Sequence, residues 1–298
     1  MTTRGRPGIS NGVTAILSPQ ALLQYRERGY FFPVPVLDDP EVVEFRGHYQ
    51  GFISRNSERL KALPPREQHV VLSMTHFAFD WVYRMISHPK VLDAVEGVLG
   101  PDLLVWDSRW FSKMPGDKTY VAWHQDALYW GLNPPNVTTA WIALSDSSSE
   151  NGGMQVIPLS QHGGLLRDKQ TYAPDNALAS GQEIAVKVNE ADAVDVALRP
   201  GEMSLHHAGI IHGSKANASD KPRIGIAVRY VTPGVVQGGT ERQLALLVRG
   251  KDDFGHFELV EPPRDDHDSA GMQGEALRRI LKNVLPKKSS GSATALAQ

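Results

Sequence analysis

The 298-residue chain contains no cysteine. Disulfides, zinc-thiolate centres, iron–sulfur clusters and thiol nucleophiles are thereby excluded, and any bound metal must be held by histidine and carboxylate. Charge of one sign is also scarce. The formal net charge is −2 with acids and bases interspersed, which leaves no electrostatic footprint for nucleic acid or an anionic membrane. No apolar run approaches the length of a membrane span, and Met1 to Ile16 carries Arg4 and Arg6 without the apolar stretch of a signal peptide. The expectation is a soluble, cytoplasmic protein with a small-molecule partner, no nucleic-acid or membrane partner, and an open oligomeric state. With no composition break and no internal repeat, residues 1–286 read as one domain, followed by a Ser-, Ala- and Lys-rich tail, 287–298, expected to be disordered.

What is present changes period along the chain. After a polar arm to about residue 14, Ser18-Pro19 gives an N-cap with proline at the first helical position, and the helix runs to Gly29. Tyr30 to Val36 reads as an entering strand. Asp38-Asp39-Pro40 starts a second helix that reaches about Leu63, and Phe77 to Ile86 and His88 to Leu99 read as two more. From residue 101 to 235 short β-type runs follow one another between Gly, Pro, Asn, Asp and Ser: Leu103–Phe111, Thr119–Trp123, Val137–Leu144, Met154–Pro158, Glu183–Val188, Val194–Leu198, Met203–His207 and Ile224–Val231. The fold class is therefore mainly β with helical additions. A jelly-roll core, the double-stranded β-helix of cupin-like proteins, sits behind an N-terminal helical buttress over 15–100. Residues 236–286 form a C-terminal extension with an acidic loop at Asp265 to Asp268 and a last helix at about Gly274 to Val284.

The chemistry centres on Trp123-His124-Gln125-Asp126. A histidine and an aspartate two positions apart at the end of a β-type run can point to one face of a strand and so toward one metal ion. One further histidine would complete a two-histidine, one-carboxylate facial triad, the donor set of non-haem Fe(II) oxygenases. Of the eleven histidines, the ten besides His124 compete for that place. His69, His76 and His88 lie in the helical third and His256 and His267 in late loops, away from the strand carrying His124. His162 follows a strand and is a candidate to line a pocket. His206 and His207 end a strand, His207 being a candidate to hydrogen-bond near the metal. His212 opens the turn His212-Gly213-Ser214 and is followed by Ser214, Asn217, Ser219 and then Arg223, whose guanidinium at a strand start suits a paired contact to a carboxylate.

Together these residues resemble a known pattern. His124-Gln125-Asp126, His212-Gly213-Ser214 some 86 residues after Asp126, and Arg223 eleven residues after His212 are similar to the phytanoyl-CoA dioxygenase family of Fe(II)- and 2-oxoglutarate-dependent enzymes, which includes ectoine hydroxylase. Trp141, the Glu150-Asn151-Gly152-Gly153 turn, Val156-Ile157-Pro158, Ser160-Gln161-His162 and Pro200-Gly201-Glu202 carry the likeness across about residues 15 to 235. The chain departs from the family at Leu159-Ser160-Gln161-His162, where a Gly-Ser-His run is common. The resemblance implies that Fe(II) is bound by His124, Asp126 and His212, and 2-oxoglutarate by Arg223 with Ser214 and Trp141 beside it, O₂ being the second co-substrate. It also implies release of succinate and CO₂ and hydroxylation of an unactivated C–H bond. Desaturation, cyclisation or epimerisation by the same cofactors is the alternative, with a non-catalytic metal- or sugar-binding jelly roll behind it. Radical halogenases resembling this family carry a small residue at the carboxylate position, so Asp126 argues against halogenation. Tyr129 and Trp130, in the aromatic segment after the ligand pair, together with Arg109 and His162, are the residues expected to meet substrate.

Overall fold

Ser18 starts the first helix by accepting the N–H of Ala21 on its Oγ at 3.2 Å, while Pro19, with no N–H to leave unpaired, occupies the first turn. This helix, α1 (Pro19–Arg28), stops at Gly29, whose φ of 83° is the left-handed conformation that glycine adopts without a Cβ penalty, and β1 (Tyr30–Pro35) follows. The computed structural model describes residues 17–178, 181–185, 187–238 and 242–263. The N-terminal arm, the loop at Asp265 to Asp268, the helix placed at 274–284 and the tail lie outside them.

Asp38 and Glu41 make a reciprocal capping box at the head of α2 (Asp39–Arg55). The helix read through to Leu63 divides at Asn56, whose side chain donates to Phe52 O at 2.9 Å, and α3 (Ser57–Ala62) continues beyond the break. A helix absent from the sequence reading, α4 (Pro65–Leu72), uses Pro65 in its first turn, and a separate 3₁₀ turn at Thr75–Phe77 delays α5 (Asp80–Ile86). His88 caps α6 (Pro89–Leu99) by accepting the N–H of Lys90 on Nδ1.

The remaining elements in chain order are β2 (Leu103–Lys113), β3 (Val121–His124), the single turn α7 (Ala127–Trp130), β4 (Leu132–Asn133), β5 (Val137–Ala143), β6 (Met154–Ile157), β7 (Asp168–Gln170), β8 (Gln182–Ile184), β9 (Val194–Asp195), β10 (Glu202–His207), β11 (Ile211–Ser214), β12 (Arg223–Val231), β13 (Val236–Gln237), β14 (Leu244–Arg249) and β15 (Glu258–Leu259). Seven strands form a major sheet in the order β1-β10-β5-β12-β2-β14-β15, and four form a minor sheet in the order β3-β11-β6-β9. Within these sheets all pairs are antiparallel except β14 with β15. This is the jelly-roll core with its helical buttress. Two differences from the sequence reading matter. His212 sits within a strand, β11, instead of opening a turn, and the segment beyond Val231 supplies β14 to the free edge of β2.

The pleat of β12 shows how one strand serves both core and site. Ile224, Ile226, Val228 and Tyr230 point to the helical side, where they join Trp81, Met85, Ile86, Val95 and Trp110 in the main apolar core. Each fully buried side chain of this size contributes about 1.5–3 kcal/mol, and the Tyr230 hydroxyl donates to Ile86 O at 2.6 Å. Arg223, Ala227 and Arg229, on the other parity, line an internal cavity. In β2 the parity changes at a bulge: Tyr230 pairs with Val105 but Arg229 with Asp107, so Trp106 is the extra residue. Downstream of it Asp107, Arg109 and Phe111 face the cavity while Trp110 packs on the helices.

Candidate metal centre and active-site cavity

Pairing of β11 with β3 sets His212 directly opposite His124, so the two rings come from neighbouring strands with their centroids 4.1 Å apart. Asp126 arrives differently from the sequence reading. β3 ends at His124, and Asp126 lies beyond it in helical geometry (φ −59°, ψ −44°) at the head of α7. Its carboxylate comes within reach of both rings, 3.4 Å from Oδ1 to His124 Nε2 and 4.0 Å from Oδ2 to His212 Nε2. The buried side chain of Gln125 holds this corner, donating to Gly209 O at 2.7 Å and Gly164 O at 3.0 Å and accepting the N–H of Leu166 at 2.8 Å.

The three ligand atoms lie within 4.8 Å of one another, and all three residues are buried. Each imidazole has its Nδ1 against the carbonyl two residues earlier, His124 on Ala122 O at 2.9 Å and His212 on Ile210 O at 3.1 Å. A carbonyl can only accept, so Nδ1 carries the proton and the Nε2 lone pair faces the shared point. Burial, followed by the neighbouring His124, pushes the His212 imidazole well below its ordinary pKa and keeps it neutral. Burial alone would raise Asp126, but its contacts with His124 and His212 and the positive charge of Arg229 outweigh it and hold the carboxyl below the usual carboxylate range. Asp126 Oδ2 is buried with no hydrogen-bond partner. Two imidazoles turned with Nε2 toward one carboxylate that keeps an unsatisfied oxygen form a donor set that suits an Fe(II)-type cation.

The triad opens onto a cavity of about 290 Å³. Arg223 lies on its major-sheet wall, 3% exposed, with Nε unpartnered and its guanidinium carbon 5.5 Å from the centroid of the Trp141 ring. Burial lowers its pKa to about 10, against the opposing effects of Asp117 and Tyr49, so it remains charged at neutral pH. Ser214 also lines the cavity and accepts a hydrogen bond from Lys113 Nζ at 2.8 Å. Lys113 donates to Lys215 O as well, and burial, then the nearby Arg223, lowers its pKa to about 6.

Tyr129, Trp130 and Arg109 line the same cavity. Trp130 packs edge-to-face on Trp106 with centroids 5.5 Å apart, so it serves core and cavity together. His162 lies elsewhere. It is exposed, makes a 2.9 Å contact to Glu27 O and is not among the lining residues, because the 3₁₀ turn at Ser160–Gly163 turns it outward against the end of α1. Sequence reasoning also missed His206, whose ring centroid is 4.9 Å from that of His212 and whose Nδ1 is unpartnered; burial lowers its pKa to about 4. His207, the residue of that pair singled out from sequence, points the other way and accepts the N–H of Gly209. His69, Ser73 and Met74 reach the cavity from the helical third, which the sequence reading kept apart from the site.

Among the described residues no helix is long and apolar enough to cross a membrane. A sequence-family model described as Phytanoyl-CoA dioxygenase matches residues 25–225. The L-proline trans-4-hydroxylase of Streptomyces griseoviridis is 26% identical over 229 residues, 70% of this chain and 85% of that protein. A phytanoyl-CoA dioxygenase of Arabidopsis thaliana is 31% identical over 153 residues, 51% of this chain but only 53% of its own length. Among solved structures, the apo form of the non-heme monooxygenase ThoJ superposes with a TM-score of 0.75 at 32% identity, covering 89% of this chain and 98% of that one. With the family match spanning well over half of its residues, the chain belongs to the phytanoyl-CoA dioxygenase family of Fe(II)- and 2-oxoglutarate-dependent dioxygenases.

Proposed function

We propose that the protein hydroxylates an unactivated C–H bond of a small organic molecule, with 2-oxoglutarate converted to succinate and CO₂. The observation that carries this reading is the convergence of His124, Asp126 and His212 on one wall of a cavity whose opposite wall presents the buried, charged Arg223. Bound Fe(II), with 2-oxoglutarate and O₂, supplies the oxidising equivalents for C–H cleavage. The chain's own residues do the rest. His124, Asp126 and His212 hold the metal from one side, and the carbonyls of Ala122 and Ile210 fix the orientation of the two imidazoles.

Arg223 receives the distal carboxylate of 2-oxoglutarate. Its unpartnered Nε and the Trp141 face against it favour a planar anion, and Ser214 offers a hydroxyl nearby. Tyr129, Trp130 and Arg109 meet the substrate, while apolar walls such as Phe111 and Leu178 keep water from the reacting carbon. The choice of hydroxylation over halogenation rests on Asp126, whose carboxylate occupies the position a halide would need. The test is incubation with Fe(II), ascorbate and 2-oxoglutarate, with succinate measured and candidate metabolites screened by mass. Succinate with gain of one oxygen supports the proposal, whereas succinate with loss of two hydrogens, or with an unchanged mass, assigns a different oxidative outcome.

A further inference from the structure

The cavity is unevenly charged. Three guanidinium groups, Arg109, Arg223 and Arg229, line it against two carboxylates, Asp107 and Asp126. Under the proposed function, which the inference takes as its premise, the two charges of Fe(II) and of dianionic 2-oxoglutarate cancel each other. One positive charge then remains in a desolvated space, and an uncompensated buried charge is costly enough that it calls for a partner.

The surplus lies away from Arg223. Arg109 is registered opposite Ala227, four residues along β12 from Arg223, which is about 13 Å of strand. A single five-carbon diacid chelating the metal and held by Arg223 therefore does not also reach Arg109. Asp107 is committed to Arg229, 3.0 Å from its Nη1. Among the described residues no carboxylate forms an ion pair with Arg109, on which Asp107 and Asp126 act only through their field: Nη2 donates to Ala177 O at 2.8 Å, the guanidinium rests 4.7 Å from the Phe111 ring centroid, and Nε is buried without a hydrogen bond. The peptide carbonyl and the ring fix the plane of the group while leaving donors unused. That is the preparation for a bidentate contact to an anion.

We infer that the substrate carries an anionic group of carboxylate type, held by Arg109 beside Arg229, with the oxidised carbon between that group and the metal. Arg109 is then the residue that selects acids over neutral analogues. The test uses protein loaded with Fe(II) and 2-oxoglutarate without O₂, titrated with the monocarboxylates from propanoate to octanoate and with the matching primary amides, following tryptophan fluorescence. The acids bind at least about tenfold more tightly than the amides, as loss of one charged, desolvated contact requires. The preference disappears in Arg109→Gln and survives in part in Arg109→Lys. A purely structural role for Arg109, anchoring the Ala177 segment, lowers stability without changing the acid-to-amide ratio. Equal affinities, no binding by either series, or an unchanged ratio in Arg109→Gln overturns the inference. If 2-oxoglutarate itself is neither bound nor converted to succinate, the proposed function fails, and the same titration in Arg223→Ala without 2-oxoglutarate still reads anion binding at Arg109.

Discussion

The two walls of the cavity are prepared in opposite ways. On the minor sheet, His124 and His212 are oriented by carbonyls only two residues away, so the metal donors are set by the local backbone before anything binds. On the major sheet, Arg109, Arg223 and Arg229 come from strands that meet only through long-range pairing, and each keeps a buried Nε without a hydrogen bond. On the metal side the donors are oriented but Asp126 Oδ2 is left without a hydrogen bond; on the cationic side the donors are incomplete until an anion arrives. Desolvation explains why both states are kept. It holds His212 neutral and so ready to coordinate, and it leaves the guanidinium groups charged but poorly solvated, which strengthens whatever anion they meet.

The largest expected effects come from removing one member of each wall. Asp126→Ala takes away the only anionic donor, and Fe(II) affinity should fall by more than about 100-fold, beyond the 10–100-fold typical of losing an outer-shell partner, with succinate formation lost in parallel. Metal titration and succinate assay check this. A variant that binds Fe(II) as well as the wild type would place the metal elsewhere and remove the contrast between the walls. Arg223→Ala should leave Fe(II) affinity unchanged while weakening 2-oxoglutarate by about 2–5 kcal/mol, the range for truncating one partner of a buried charge pair. An unchanged apparent KM for 2-oxoglutarate would show that Arg223 is not its anchor.

A smaller effect tests how the cationic wall is packed. A Cβ at Gly225 would lie 2.3 Å from the Trp141 ring, so β12 can pass under the indole only with glycine at this position. Gly225→Val should cost about 1–3 kcal/mol through overpacking and displace Trp141 from Arg223, raising the KM for 2-oxoglutarate more than it changes Fe(II) binding. Chemical denaturation and metal titration separate the two. Equal damage to both ligands would mean that the walls are mechanically coupled.

Legibility in the sequence divides along a similar line. The caps at Ser18 and Asp38 and the stop at Gly29 were readable because each depends on residues within a turn of itself. The run Ile224–Val231 was readable as a strand with Arg223 at its start, and the spacing of His124, Asp126, His212 and Arg223 named residues that the fold brings around one cavity. What stayed hidden depends on distant partners. Which of His206 and His207 faces inward is fixed by pairing of β10 with β5, where His206 meets Thr139, another cavity residue. The bulge at Trp106 decides that Asp107 and Arg109 point to the cavity, and no local signal marks it. His69, Ser73 and Met74 reach the site only because the helical buttress folds back over β2, where Met74 N–H donates to Ser108 O at 2.7 Å.

The subtlest test concerns Lys113, the one cation of the major sheet whose charge gives way. The residue is 2% exposed and close to Arg223, and its pKa falls from the ordinary lysine value to about 6, whereas Arg109 and Arg223 remain charged with values of about 10. Between pH 6 and the unfolded value near 10.5 the unfolded chain therefore binds a proton that the folded chain does not. Stability must rise with pH across that window, by up to about 1.4 kcal/mol per pH unit from this group, and below pH 6 the full penalty of burying the charge is present. Lys113→Met removes the titrating group while keeping the apolar stem. Its urea-unfolding free energy should exceed that of the wild type most at pH 6, with the gap closing by that slope as pH rises. A constant gap would mean that Lys113 stays protonated in the fold, held by Ser214 Oγ and Lys215 O, and that all the cations of this wall keep their charge without an anion.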